Sequence, residues 1–146
     1  MAGCAKLNIG KESPGRSLRD MRRSAKVLVV DDAPDVRRIF AHFLLASGME
    51  VATAENGILA LDAARRAVPD VIVTDVDMPM MDGLALCRHL RADAATRGVA
   101  VVVITGDASE QTQAALAAGC DAILEKPCSQ TMLLATIRRL LDRRSP

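Results

Sequence analysis

The sequence predicts an α/β domain built on a doubly wound, five-stranded parallel sheet with helices on both faces. Two observations carry this reading. Five short apolar runs alternate with five stretches of helical spacing, the signature of strand–helix–strand units that cover a parallel sheet on both sides. The chain has 146 residues, half of them apolar and a quarter charged, which is the size and composition of one globular domain.

In chain order, Val27-Leu28-Val29-Val30 is a β-branched run ending in Asp31-Asp32, and Val36, Ile39, Phe40, Phe43 and Leu44 then recur with helical period up to Gly48. Met49 to Ala54 reads as a second, weaker strand closed by Asn56-Gly57, with a helix from Leu59 to Ala67. Val71-Ile72-Val73 is a third strand ending at Asp75, and Leu84 to Arg91 is helical. Val99 to Ile104, the longest apolar run, ends at Thr105 and is followed by a helix from Ser109 to Ala118. Ala122-Ile123-Leu124 leads to Lys126, and Ser129 is placed to cap a last helix with Met132, Leu133, Ile137, Leu140 and Leu141 on its apolar face. Right-handed crossovers leave such a chain few topologies.

Composition excludes several function classes. Nineteen basic against eighteen acidic side chains leave a net charge of +1, unlike a basic nucleic-acid binder, and two Phe with no Tyr or Trp supply no base-stacking platform. No apolar run approaches the roughly 20 residues of a membrane helix, and no signal-peptide core is present at the N-terminus, so a cytoplasmic location is expected. Cys4, Cys87, Cys120 and Cys128 form no CxxC pair and have no His at metal-ligand spacing, which disfavours a disulfide scaffold or a zinc site. Cys87, Cys120 and Cys128 read as small buried hydrophobes, with a redox role for Cys128 as the minority reading. Residues 1–24 carry six basic and two acidic side chains, a net of +4, and are rich in Gly, Ser and Arg; a disordered basic tail is expected there, with the folded domain over residues 25–146.

Asp31, Asp32, Asp75, Thr105 and Lys126 each fall at or just beyond the C-terminal end of a predicted strand. Those ends line one edge of an open parallel sheet, where ligands bind at the point at which strand order reverses. Three carboxylates, a hydroxyl and an ammonium should therefore converge. Carboxylates packed together repel unless neutralised, and a hard divalent cation such as Mg²⁺ answers that with oxygen ligands. After Asp75 the chain reads Val76-Asp77-Met78-Pro79-Met80-Met81-Asp82-Gly83, where Pro79 excludes further strand pairing and Asp82-Gly83 signals a turn and a helix start.

The acidic pair after strand one, the DxxMPxMDG loop, the Thr after strand four and the Lys-Pro after strand five resemble the receiver domain of two-component response regulators. The resemblance covers about residues 25 to 143 and is strongest to chemotaxis-regulator-like, stand-alone receivers. It implies a flavodoxin-like strand order 2-1-3-4-5. It also implies that Asp75 is the phosphoacceptor, assisted by Thr105 and Lys126. Mg²⁺ would be held by the carboxylates of Asp32 and Asp75, by Asp31 chiefly through water, and by the Asp77 backbone carbonyl. The Lys126-Pro127 peptide would be cis. A sensor histidine kinase or histidine phosphotransfer protein would donate the phosphoryl group. A downstream protein would bind the face of helix 4, strand 5 and helix 5, with no direct nucleic-acid or membrane partner. Gly106 would leave the phosphate an open approach. Asp77 and Asp107 would influence how long the phosphoryl group survives.

The sequence departs from the family at Ile123, where many receivers carry an aromatic, and at Cys128, where Phe is usual. A rotating aromatic on strand five therefore cannot carry the switch; Ile123 beside the Ala-rich helix 4 reads equally as a docking patch or a plain edge-strand residue. Helix 4 holds no Lys or Arg, which removes the charged pairs of many dimeric regulators. Arg138, Arg139, Arg143 and Arg144 read as a solvated basic face, and His42 and His89 as ordinary surface or core residues. Two alternatives remain at this level. One is a haloacid-dehalogenase-like phosphatase using Asp75 and Asp77, although that motif wants Thr or Val where Pro79 stands. The other is a degenerate receiver serving as a scaffold.

Overall fold

The computed structural model describes residues 24–144, so the expected tail lies almost wholly outside the described residues. Within them, strands and helices alternate as β1 (Lys26–Val30), α1 (Pro34–Ala46), β2 (Glu50–Ala54), α2 (Gly57–Arg66), β3 (Val71–Asp75), α3 (Gly83–Ala92), β4 (Ala100–Thr105), α4 (Ala108–Ala118), β5 (Ala122–Glu125) and α5 (Gln130–Arg144). The strands pair in parallel in the order β2-β1-β3-β4-β5, as expected. The first crossover runs outward from β1 to β2 and the rest run the other way, so the reversal falls between β1 and β3.

Alternate residues of the central strands face opposite layers. Leu28, Val30, Ile72, Val101 and Val103 pack with Ala60, Leu61 and Ala64 of α2, Leu84, Leu86, Cys87 and Leu90 of α3, and Ala115 and Ala118 of α4. Val27, Val29, Val71, Val73, Val102 and Ile104 pack with Leu44 of α1 and Leu133, Ile137 and Leu140 of α5. Burying each of the larger of these side chains is worth about 1.5–3 kcal/mol, and Leu44, Leu86, Leu90, Leu133 and Ile137 are fully closed off.

Helix ends follow from local chemistry. Asn56, Asp82 and Asp107 each accept a backbone N–H three residues on (Leu59, Ala85 and Glu110), and Ser129 Oγ accepts from Met132, the cap expected from sequence. Pro34 stands in the first turn of α1, where its missing N–H costs nothing. Gly119 ends α4 in the left-handed region, with φ 96°.

Burial corrects three expectations. Val36, Ile39 and Met132 have apolar-face spacing, yet they are 37%, 53% and 54% exposed. A helix laid on a sheet covers a narrower strip than its whole apolar stripe, and Val36 and Ile39 stand beyond that strip, at a groove beside the acidic strand ends. Cys87 and Cys120 are buried as expected, whereas Cys128 is half-buried. His42, His89, Arg138, Arg139 and Arg143 are exposed.

Candidate functional site: an acidic cleft at the strand ends

Strand register assembles the site. β1 pairs with β3 so that Val30 faces Thr74, which sets the next residues, Asp31 and Asp75, side by side at the reversal point. On the other flank Asp75 pairs with Ile104, Thr105 pairs with Glu125, and the Lys126 N–H donates to the Thr105 carbonyl at 2.8 Å. All five polar residues singled out from sequence therefore end on one edge.

One carboxylate oxygen from each of Asp31, Asp32 and Asp75 lies within 4.8 Å of the others, and the grouping would suit a metal ion. Asp31 and Asp75 are buried and Asp32 is exposed. Lys126 Nζ stands 3.1 Å from Asp75 Oδ1. Burial pushes the Asp31 carboxyl above its ordinary range; the Ala33 N–H that it accepts works the other way, and the neighbouring Asp75 adds to the rise. For Lys126, partial burial opposes the charge, but the hydrogen bond and charge of Asp75, with Asp31 and Asp77 behind it, outweigh that and hold the ammonium above its ordinary range.

Thr105 is buried, and its hydroxyl accepts from the Asp107 N–H at 3.1 Å. Asp107 in turn caps α4 through Glu110 N–H and Ser109 Oγ, which keeps its exposed carboxyl below the usual range. The Asp77 N–H lies 3.3 Å from Asp75 Oδ1, with the Asp77 side chain exposed. The Lys126-Pro127 peptide is cis.

Several supporting residues escaped the sequence reading. Arg37 of α1 donates to the Asp31 carbonyl at 2.6 Å, and Thr74 Oγ1 donates to the Asp75 carbonyl at 2.9 Å. A Cβ at Gly83 would meet the Asp75 carbonyl oxygen at 2.2 Å, and one at Gly57 would meet the Met81 oxygen at 2.6 Å, so glycine is what lets α3 and α2 close on the acidic loop. The Asp-Gly and Asn-Gly pairs were legible as turns, but nothing local shows what the missing side chain makes room for. A Cβ at Gly106 would meet nothing within 4 Å; packing does not demand glycine there.

A five-stranded 2-1-3-4-5 sheet with clustered aspartates opposite a lysine is the architecture of a receiver domain. Residues 27–138 match the family model described as the response regulator receiver domain, and the chain belongs to that family. It is a receiver of two-component signalling. Among curated relatives, response regulator PleD of Caulobacter vibrioides is 42% identical over 118 residues, 80% of this chain and 26% of PleD. Response regulator MprA of Mycobacterium tuberculosis is 40% identical over 123 residues, 84% of this chain and 53% of MprA. The chain thus spans about a quarter to a half of the curated relatives it matches. Among solved structures, the chemotaxis protein CheY4 of Vibrio cholerae superposes with a TM-score of 0.77 at 35% identity, over 81% of this chain and 99% of that one. The receiver domain of sensor histidine kinase PA1611 from Pseudomonas aeruginosa, solved with magnesium in its active-site cleft, gives 0.76 at 28% identity, over 82% of this chain and 98% of that one. Among the described residues, no helix is long and apolar enough to cross a membrane.

Proposed function

We propose that the chain is a phosphoacceptor switch, not a turnover enzyme: Asp75 takes a phosphoryl group from a sensor histidine kinase or a histidine phosphotransfer protein, and the modified domain changes its affinity for a downstream protein. The observation that carries this reading is the placement of Asp75, buried at the reversal point, within 4.8 Å of two further carboxylates and 3.1 Å from a lysine ammonium. A carboxylate can attack phosphorus only if the repulsion between two anions is offset along the line of attack.

The donor set fits Mg²⁺: every candidate ligand is an oxygen, and Asp31, whose carboxyl is raised first by burial and then by the neighbouring charge of Asp75, is a carboxylate that a hard dication would relieve. Asp32 and Asp75 would hold it by carboxylate, Asp31 chiefly through water and Asp77 by its backbone carbonyl. When bound, the ion supplies positive charge against the transferring phosphoryl oxygens. The chain's own residues do the remainder. Asp75 Oδ attacks; Lys126 holds positive charge beside it; the Thr105 hydroxyl, which accepts the Asp107 N–H, keeps its own hydrogen free to donate to the new phosphate. A shift of Thr105 toward the phosphate would pull, through the Asp107 N–H that it accepts, on the cap of α4, which gives phosphorylation a route to the α4, β5 and α5 face proposed to meet the output partner. Ile123, half-buried against the Ala115 and Ala118 layer, and exposed Leu116 belong to that face. The groove bounded by Val36, Ile39, Phe40, Pro127 and Cys128 opens directly beside Asp75 and suits the donor protein.

No observation favours the phosphatase or scaffold alternatives. The experiment is to incubate the protein with Mg²⁺ and a small acyl phosphate, then record intact mass. Wild type should gain one phosphate; the Asp75→Asn variant, and wild type with chelator, should gain none. Label on another residue, or continuous turnover of a generic phosphoester, would replace this reading.

A further inference from the structure

We propose that Arg37 is a positioning residue for the metal site: by holding the peptide that joins Asp31 to Asp32, it aims both carboxylates at the divalent cation. The role rests on the magnesium reading proposed above, and Arg37 itself stands outside the acidic cluster.

The contacts close a small ring. Arg37 Nη1 donates to the Asp31 carbonyl at 2.6 Å, a short charge-assisted bond. Its backbone N–H donates to the Ala33 carbonyl at 3.0 Å, which opens the helical ladder of α1, and the Ala33 N–H donates to Asp31 Oδ1 at 2.9 Å. The Asp31 N–H donates to the Ala54 carbonyl of β2 at 3.2 Å. Amide, carboxylate and carbonyl of Asp31 are thus each held, the carbonyl by a side chain reaching back from the following helix.

The carbonyl governs the next residue. A peptide unit is planar, so the direction of the Asp31 carbonyl fixes the plane that holds the Asp32 nitrogen and Cα. Asp32 is exposed, and among the described residues no hydrogen bond or ion pair holds its carboxylate. Its aim is therefore inherited from the peptide that Arg37 grips. Because Asp31 is buried, loss of the guanidinium would leave its carbonyl without a partner or let the peptide turn toward water. Either outcome changes the angle between two carboxylates that now lie, with Asp75, within 4.8 Å of one another. Mg²⁺ demands near-ideal octahedral geometry, so a misaimed ligand lowers affinity.

Arg37 acts from behind the site. It lines a groove with Thr53, Ala54, Glu55 and Leu59 at the β2 edge, whereas the acidic cleft opens between α1 and the Lys126-Pro127 turn. A guanidinium has no lone pair to offer a cation, and its charge alone repels one. Charge and position therefore predict opposite signs: deleting the charge tightens metal binding, and deleting a positioning contact weakens it. Arg38, one residue on, carries the same charge but pairs with Asp35 at 3.5 Å on the exposed side of α1, and so supplies the control.

The test titrates Mn²⁺, a divalent probe suited to oxygen ligands, into the full chain and reads free Mn²⁺ by electron paramagnetic resonance, with Mg²⁺ as competitor. Arg37→Met keeps the apolar stem and deletes the donors, so packing is largely retained. It should weaken Mn²⁺ binding by about 10-fold or more, the scale of losing an outer partner of a metal ligand. Arg37→Lys, which keeps a donor of shorter reach, should fall between Arg37→Met and wild type. Arg38→Ala should match wild type or bind slightly more tightly. Thermal midpoints of the metal-free proteins are read in parallel. A lower midpoint with unchanged Mn²⁺ affinity in Arg37→Met would reduce Arg37 to a structural residue and overturn the proposal. Tighter binding in Arg37→Met, or an equal loss in Arg38→Ala, would overturn it too. A wild type that binds no Mn²⁺ would remove the metal site itself, and this role with it.

Discussion

Lys126 Nζ stands 3.1 Å from Asp75 Oδ1, and the two side chains differ sharply in exposure: 44% for the lysine against 5% for the aspartate. A cation reaching from the rim onto a closed-off carboxylate sets positive charge beside it without filling the space beyond it. Replacing Lys126 with Ala should slow phosphoryl uptake from an acyl phosphate by roughly 100-fold, the size of effect seen when one fixed charge or donor is removed from a developing anion. Lys126→Arg should recover part of the rate, since the charge returns but the compact ammonium does not. Single-turnover mass measurements check both. An unchanged rate in the Ala variant would remove Lys126 from the proposed chemistry.

Asp31 is expected to cost stability when the metal is absent. Its carboxyl is raised in the folded chain by burial and by Asp75, so the native state holds its proton more tightly than the unfolded state does. The associated stability is fully present below the ordinary value of 3.8 and is lost as pH rises through the raised folded value. At neutral pH, Asp31→Asn should therefore raise the thermal midpoint of the metal-free protein, and Mg²⁺ should stabilise the variant less than wild type. A lower midpoint for the variant at neutral pH would contradict this.

Gly83 and Gly106 form an internal comparison. At Gly83→Ala the new Cβ would meet the Asp75 carbonyl oxygen at 2.2 Å, forcing α3 or the acceptor strand to move. A loss of about 1–3 kcal/mol is expected from such overpacking, with slower phosphoryl uptake. Gly106→Ala meets nothing within 4 Å and should leave stability nearly unchanged, so any loss of phosphorylation there reflects the approach of the ligand. Denaturant unfolding of the two variants distinguishes the cases.

Asp107 joins Thr105 to α4, because its N–H holds the threonine hydroxyl while its carboxylate caps the helix. Asp107→Ala should lower the thermal midpoint and alter the phosphoryl lifetime, whereas Asp107→Asn should retain most of the cap. Asp77, exposed two residues past Asp75, should affect the lifetime through charge, read from Asp77→Asn. Its carboxylate can orient water or repel it, so only a change of rate is expected, without a sign. Dephosphorylation rates unchanged in both Asp107→Ala and Asp77→Asn would separate these acids from the lifetime.

The sequence by itself determined the alternation of strands and helices, the turns at Asn56-Gly57 and Asp82-Gly83, the cap at Ser129, and the collection of Asp31, Asp32, Asp75, Thr105 and Lys126 at strand ends. Each of these follows from period, propensity or a short hydrogen bond, all of which act over a few residues. Only the tertiary structure decided that Val36, Ile39 and Met132 stay exposed, that Gly83 is needed for contact with the Asp75 backbone, and that Arg37 and Arg91 hold distant carbonyls. Those outcomes depend on which elements cross over which, and at what register. The apolar stripe of α1 says that a face is available for burial; how much of it is covered is set by the sheet beneath and by the helix alongside.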